Sequence, residues 1–233
     1  MNDSSLRPVG GALFDLDGTL IDSEPQWQIA QTRLAEQAGV TWTDEDFLAT
    51  IGRPMPRWAA LLSDRGVPGT IEEIIAQAVA FVTEQIRNHM PWLPGAQELL
   101  TEAAAAGVPC ALVTNNAAAA AELVAEAAGV FSTVVSSADV TEPKPDPEPY
   151  LTAARQLGVD PARSIAFEDS VSGATSAHRA GLAVWFLTGH TADPQVPVDR
   201  TLGSLTEVSA QDVLEALARE RPLARERQSA LGR

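Results

Sequence analysis

From Gly95 onward the chain alternates amphipathic helix and short apolar run with a regularity that few architectures accept. The spacing predicts helices over 95–106, 117–128, 147–157 and 171–180, and apolar strands over 108–114, 133–135, 164–167 and 183–187. Continuous Val, Ile, Leu and Ala runs, separated by helices of about three turns, belong to a parallel sheet buried on both faces. The fold class is therefore α/β: a doubly wound parallel sheet with a Rossmann-like core.

The first strand of that sheet stands far from the others in sequence. An apolar run over 9–14 ends at Asp15, and residues 22–92 then read as helix after helix. Pro25, Asp44 and Pro54 open three helices, and a longer one over 70–89 places Ile71, Ile74, Ile75, Ala78, Val79 and Val82 on one face. Pro91 and Pro94 close the block. The expected organisation is an α/β core of residues 1–21 and 93–233, with a helical cap domain of residues 22–92 inserted after the first strand. The Arg-rich stretch over 219–233 is expected to extend a terminal helix.

In an open parallel sheet the functional crevice lies beyond the carboxyl ends of the strands. The residues there are Asp15-Leu16-Asp17-Gly18-Thr19, Thr114-Asn115-Asn116 and Glu168-Asp169-Ser170, joined by Lys144-Pro145-Asp146-Pro147 in a rim loop. Carboxylates gathered from two strands without Cys or His make a hard oxygen cage of the kind Mg²⁺ prefers. Without a cation, repulsion among Asp15, Asp17, Glu168 and Asp169 raises at least one pKa. Thr114 and the amides opening the next helix can donate to phosphate oxygens, and Lys144 can neutralise a phosphoryl group together with its attacking carboxylate. In Asp15-x-Asp17 one carboxylate can attack in line while the other protonates the leaving oxygen and later deprotonates a water.

Charge narrows the partners. With 31 Asp and Glu against 16 Lys and Arg the net charge is -15, which repels nucleic acid and anionic membrane. Lys144 is the only lysine; the other basic residues are fifteen arginines. The single Cys110 forbids an intrachain disulfide, the N-terminus has no secretory pattern, and the longest weakly polar stretch, over 103–113, is too short for a bilayer. A cytoplasmic protein, a monomer or weak homodimer acting on a small phosphorylated molecule, fits these features. His89, His178 and His190 are scattered, so neither a zinc site nor a serine triad is supported. Trp42, Trp58 and Trp185 read as packing residues.

The motifs carry a resemblance that spans nearly the whole chain. Phe14-Asp15-Leu16-Asp17-Gly18-Thr19-Leu20, Leu112-Val113-Thr114-Asn115, Lys144-Pro145-Asp146-Pro147 and Phe167-Glu168-Asp169-Ser170 are similar, in order, to the four motifs of the haloacid dehalogenase superfamily. The resemblance is to its capped phosphatase and β-phosphoglucomutase-like branch. It implies that Asp15 is the nucleophile, Asp17 the general acid and base, and Thr114, Asn115 and Lys144 the holders of the phosphoryl group. It further implies Mg²⁺ bound by the Asp15 side chain, the Asp17 backbone carbonyl and Asp169, with Glu168 acting through water. An acid at position 17 argues against a dehalogenase. The segments over 21–27 and 91–95 resemble those of phosphatases acting on 2-deoxyglucose 6-phosphate and hexitol phosphates. Trp27 stands where β-phosphoglucomutases usually have His, which disfavours the alternative of a phosphomutase. Glu24, Trp27 and Arg53 are the expected substrate-facing residues of the cap. A phospho-Asp signalling receiver is a further alternative, but it normally lacks both the Asp-x-Asp pair and such an insertion.

Overall fold

A computed structural model of the chain describes residues 10–50, 55–189 and 191–219. The chain forms two compact units, residues 22–91 and the remainder.

The larger unit is a parallel six-stranded sheet in the order β3-β2-β1-β4-β5-β6, flanked by helices. Its strands are β1 (Ala12–Phe14), β2 (Cys110–Val113), β3 (Thr133–Val135), β4 (Ile165–Glu168), β5 (Ala183–Leu187) and β6 (Arg200–Leu202). Strand β1 lies centrally, with Ala12 opposite both Cys110 and Ile165. Strands β1, β2, β4 and β5 are buried along their whole length, which is why they read as unbroken apolar runs. The chain order reverses beside β1, so a crevice opens beyond the ends of β1, β2 and β4. The doubly wound sheet expected from the sequence is the observed fold, and β6 and the last helix of the unit add to it. β6 escaped the sequence reading because only Leu202 of its three residues is buried.

The helical unit contains α1 (Glu24–Ala38), α2 (Asp44–Leu48), α3 (Met55–Asp64) and α4 (Ile71–Asn88). Pro25 lies in the first turn of α1, and Gly39 ends that helix in the left-handed conformation at φ 69°. Thr70 and Glu73 form a reciprocal capping box at the start of α4. One stripe of α4, Ile74, Ala78, Val82 and Ile86, is buried against α1 and α3. Burying each of its larger side chains contributes about 1.5–3 kcal/mol, which exceeds the few tenths that propensity supplies per residue. Trp58 is buried, and its ring lies 5.9 Å from that of Trp27 at 57°.

The sheet unit carries α5 (Ala96–Ala105), α6 (Ala118–Ala128), α7 (Glu148–Leu157), α8 (Val171–Arg179) and α9 (Ala210–Ala218). Trp92 belongs to this unit, because it forms an antiparallel bridge to Ile21. Trp185 is buried in β5 and Cys110 in β2, where burial pushes the thiol pKa up to about 12. Helix α9 ends at Ala218, with Arg219 extended at ψ 130°. The expected helical extension therefore does not pass through Arg219, and its remainder, 220–233, lies outside the described residues. No helix among the described residues is long and apolar enough to cross a membrane.

Candidate active site

The end of β1 sets the geometry. Asp15 continues the strand by donating its N–H to the Phe167 carbonyl at 3.0 Å, which brings its side chain beside the end of β4. The chain then turns sharply: Gly18 adopts φ 79°, a left-handed conformation that disfavours a side chain, and its N–H reaches the Ile21 carbonyl at 2.8 Å. Asp17 lies inside this turn, and its carboxylate accepts from Asn116 Nδ2 at 3.1 and 3.4 Å. Asn116 is itself held, because Ala117 N donates to its Oδ1 at 2.7 Å and its own N donates to Thr114 Oγ1 at 3.0 Å.

Lys144 is the centre of the site. Its side chain is almost fully buried, and Nζ donates to Asp15 Oδ1 at 2.6 Å, Glu168 Oε1 at 2.6 Å and the Val113 carbonyl at 2.8 Å. The three donor hydrogens of the ammonium thus match three acceptors from three strand ends. Its backbone is clamped by Asn115, which donates from Nδ2 to the Lys144 carbonyl at 3.1 Å and accepts from the Lys144 N–H at 3.0 Å. The rest of the loop is tied down by Ser176 Oγ on the Asp146 carbonyl and by Glu148, which takes the N–H groups of Thr141 and Glu142. Those two amides, Thr141 first, hold the Glu148 pKa below its ordinary value.

Glu168 is fully buried and accepts three hydrogen bonds: Lys144 and Tyr150 OH on Oε1, each at 2.6 Å, and Ser170 Oγ on Oε2 at 3.2 Å. A fourth wall is Gly173 of α8. A Cβ built there would lie 1.9 Å from both carboxylate oxygens. Because those oxygens are pinned by three donors, they have little freedom to retreat. Gly173→Ala is expected to lower stability by about 1–3 kcal/mol and to reduce turnover, since Glu168 leaves its partners. Thermal unfolding with steady-state rates checks this, and wild-type values for both would show that the carboxylate is not fixed.

Oxygens of Asp15, Glu168 and Asp169 lie within 4.8 Å of one another, and all three residues are buried. Burial raises the Asp15 pKa to about 7, with Glu168 and Asp17 adding to the rise and Lys144 opposing it. Asp169 is raised for the same reason, burial first and then its neighbouring carboxylates. Burial works against the Lys144 ammonium, but Asp15 and Glu168 outweigh it and hold its pKa above the ordinary value. One cation among this many carboxylates leaves a local excess of negative charge that a divalent ion would offset. The donor set is oxygen only.

Of the residues expected from sequence, Asp15, Lys144, Glu168 and Asp169 are brought together; Asp17 lies at the adjoining turn, and Thr114 and Asn115 support the rim through the contacts above. Glu24 and Trp27 stand at the start of α1 in the helical unit, and Arg53 lies outside the described residues. Asn116, Tyr150, Ser170 and Gly173 went unassigned as site residues. Tyr150 had a readable signal, as the only tyrosine of the chain, one helical turn beyond the lysine loop.

Buried acidic side chains and a paired ammonium stand at the switch point of a parallel sheet, the place where α/β enzymes put their active sites. The chain belongs to the haloacid dehalogenase-like hydrolase family, whose model matches residues 9–181. It is similar to the validoxylamine A 7'-phosphate phosphatase of Streptomyces hygroscopicus subsp. limoneus, 34% identical over 201 residues that cover 84% of this chain and 94% of the relative. Hexitol phosphatase B of Escherichia coli strain K12 is 32% identical, with 91% of this chain and 99% of the relative covered. Among solved structures, a CbbY variant from Rhodobacter sphaeroides in complex with xylulose-(1,5)bisphosphate matches with a TM-score of 0.77 at 26% identity, covering 88% of this chain and 99% of the other.

Proposed function

We propose that this hydrolase is a Mg²⁺-dependent phosphatase that releases phosphate from a small phosphorylated metabolite, a sugar or polyol phosphate, through an aspartyl-phosphate on Asp15. The observation that carries the reading is Lys144, bonded at once to Asp15 and Glu168 beside Asp169. An ammonium in that position can follow Asp15 Oδ1 onto an incoming phosphoryl group. The phosphatase names of both relatives support the reaction, and the hexitol and bisphosphate names support the substrate class.

Asp15 attacks phosphorus with a carboxylate oxygen while the bond from phosphorus to the substrate oxygen breaks. Asp17 gives its proton to that oxygen and the alcohol leaves. Asp17, now a carboxylate, takes a proton from water as the water oxygen attacks the phosphorus of the acyl phosphate. The bond from phosphorus to Asp15 then breaks, and phosphate departs with both carboxyl groups restored. Lys144 neutralises charge on the nucleophile and the phosphoryl oxygens, and Thr114 and Asn115 hold the rim against the phosphoryl group. The Asp15 side chain, the Asp17 backbone carbonyl and Asp169 would hold Mg²⁺, with Glu168 acting through water, and the ion would supply further neutralisation of phosphate charge. Glu24, Trp27 and Arg53, from the helical segment inserted after β1, are the residues proposed to select the substrate.

A panel of sugar, polyol, nucleotide and amino-acid phosphates tests the reading. Phosphate release is expected from the sugar or polyol members and is expected to stop on chelation. Isomerisation of a sugar phosphate without free phosphate would replace the reading by a phosphomutase. The metal requirement also has a pH signature. With its folded pKa at about 7 and an ordinary value of 3.8, Asp15 binds its proton more tightly in the folded state. The contribution of Asp15 to the stability of the metal-free protein therefore falls as pH rises from about 4 to 7. The cation needs the ionised carboxylate, so its stabilisation grows over the same interval. Saturating Mg²⁺ is expected to raise Tm by roughly 5 °C or more at pH 8 and by much less at pH 5. Equal shifts at both pH values would exclude Asp15 as a ligand.

A further inference from the structure

We propose that Tyr150 is a positioning residue for Lys144: its hydroxyl and ring fix Glu168 and the ammonium so that the lysine is shared between Glu168 and the nucleophile rather than captured by one of them.

Four observations meet on this residue. The hydroxyl donates to Glu168 Oε1 at 2.6 Å, on the same oxygen that accepts from Lys144 Nζ at 2.6 Å. The ring centroid lies 5.0 Å from Nζ, within reach of a cation–π attraction. Tyr150 is the largest of the fully buried side chains, so its ring has no room to turn away. It also stands on α7, directly after the loop that carries Lys144, so one rigid helix holds both the lysine loop and the group facing its amine.

The physical argument turns on competition for one ammonium. Asp15 and Glu168 are both 2.6 Å from Nζ, and a carboxylate without other donors attracts a cation more strongly than one already hydrogen-bonded. Tyr150 on Oε1 and Ser170 on Oε2 partly saturate Glu168 and leave its pull on Lys144 weaker. The ammonium then stays available to Asp15 and to whatever binds Asp15. Without that hydroxyl, Glu168 would draw Lys144 toward itself, and a transferring phosphoryl group would lose part of its counter-charge.

The proposal rests on the phosphatase reading for its rate arm alone. Tyr150→Phe keeps the ring, the volume and the cation–π contact and removes only the hydroxyl. The expected result is a fall in kcat of roughly tenfold, the worth of one charge-assisted hydrogen bond, with KM within about twofold and a Tm lowered by several degrees because buried Glu168 loses a donor. A second readout needs no substrate. Because Lys144 is the only lysine, lysine-selective ¹³Cε labelling yields one side-chain resonance, and Tyr150→Phe is expected to shift it. An unchanged kcat overturns the proposal. So does a lowered kcat with an unmoved lysine resonance, because the hydroxyl would then act by another route. If the wild-type protein hydrolyses no phosphate ester, the phosphatase reading fails, while the resonance still decides whether Tyr150 sets the environment of Lys144.

Discussion

Asp15→Asn is expected to abolish phosphate release, with a loss on the order of 10⁴-fold or more because the nucleophile of a covalent route has no substitute. The side chain keeps its shape and an oxygen that can still accept from Lys144, so the fold is expected to persist. Stability offers a second measure. Burial holds the Asp15 pKa at about 7, so above that pH the folded protein carries an ionised group its surroundings disfavour. The neutral amide removes this penalty. Metal-free Asp15→Asn is therefore expected to melt no lower than the wild type at pH 8. Rates near wild type for this variant would remove Asp15 from the reaction.

Lys144→Ala is expected to harm both stability and rate, and in a linked way. The ammonium is the shared partner of two buried carboxylates, and withdrawing it leaves them uncompensated, at a cost of about 3–5 kcal/mol. Protonation relieves this, so the destabilisation is expected to be smaller at pH 5 than at pH 8. The fall in kcat/KM is expected to reach roughly 10²–10³-fold, the range for removing one preorganised electrostatic group. Lys144→Arg is not expected to rescue it: three acceptors at 2.6–2.8 Å enclose a compact ammonium, not a planar fork. Chemical unfolding at the two pH values and steady-state kinetics test these statements, and an Ala variant with wild-type kcat/KM would contradict the central place given to Lys144.

How much of this was legible in the sequence follows from how local each signal is. The strands 133–135 and 183–187 were readable to the residue, because apolar runs bounded by turn residues carry their own limits. So was the gathering of acidic side chains and one lysine at the rim, since Asp15 and Asp169 lie in compact motifs at strand ends and Lys144 in a short motif of the rim loop. The supports of that rim were not readable. Tyr150 and Glu168 are 18 residues apart, Asn116 and Asp17 are 99 apart, and nothing local announces either contact. Nothing in the sequence singles out Gly173; the neighbouring Glu168 carboxylate explains it. The terminal helix stops at Ala218 because Arg219 turns extended, which residue composition alone did not announce. Asn115, which the resemblance assigns to the phosphoryl group, also clamps the backbone of Lys144 through its side-chain oxygen and nitrogen, a contact across 29 residues that no local pattern announces.

The central place of β1 has a consequence for how the enzyme is made. Its strand neighbours begin at residues 110 and 165, and Gly11 bonds to Ser164 across 153 residues of chain. At ordinary ribosomal rates of about 5–20 residues per second, the strand bearing the nucleophile waits roughly 8–30 s after synthesis for its second neighbour. During that interval the helical unit, complete by residue 91, can fold from local contacts. The two acidic pairs, Asp15 with Asp17 and Glu168 with Asp169, meanwhile stay apart on an open chain, and the repulsion between the pairs is deferred until the residues that compensate it have been translated.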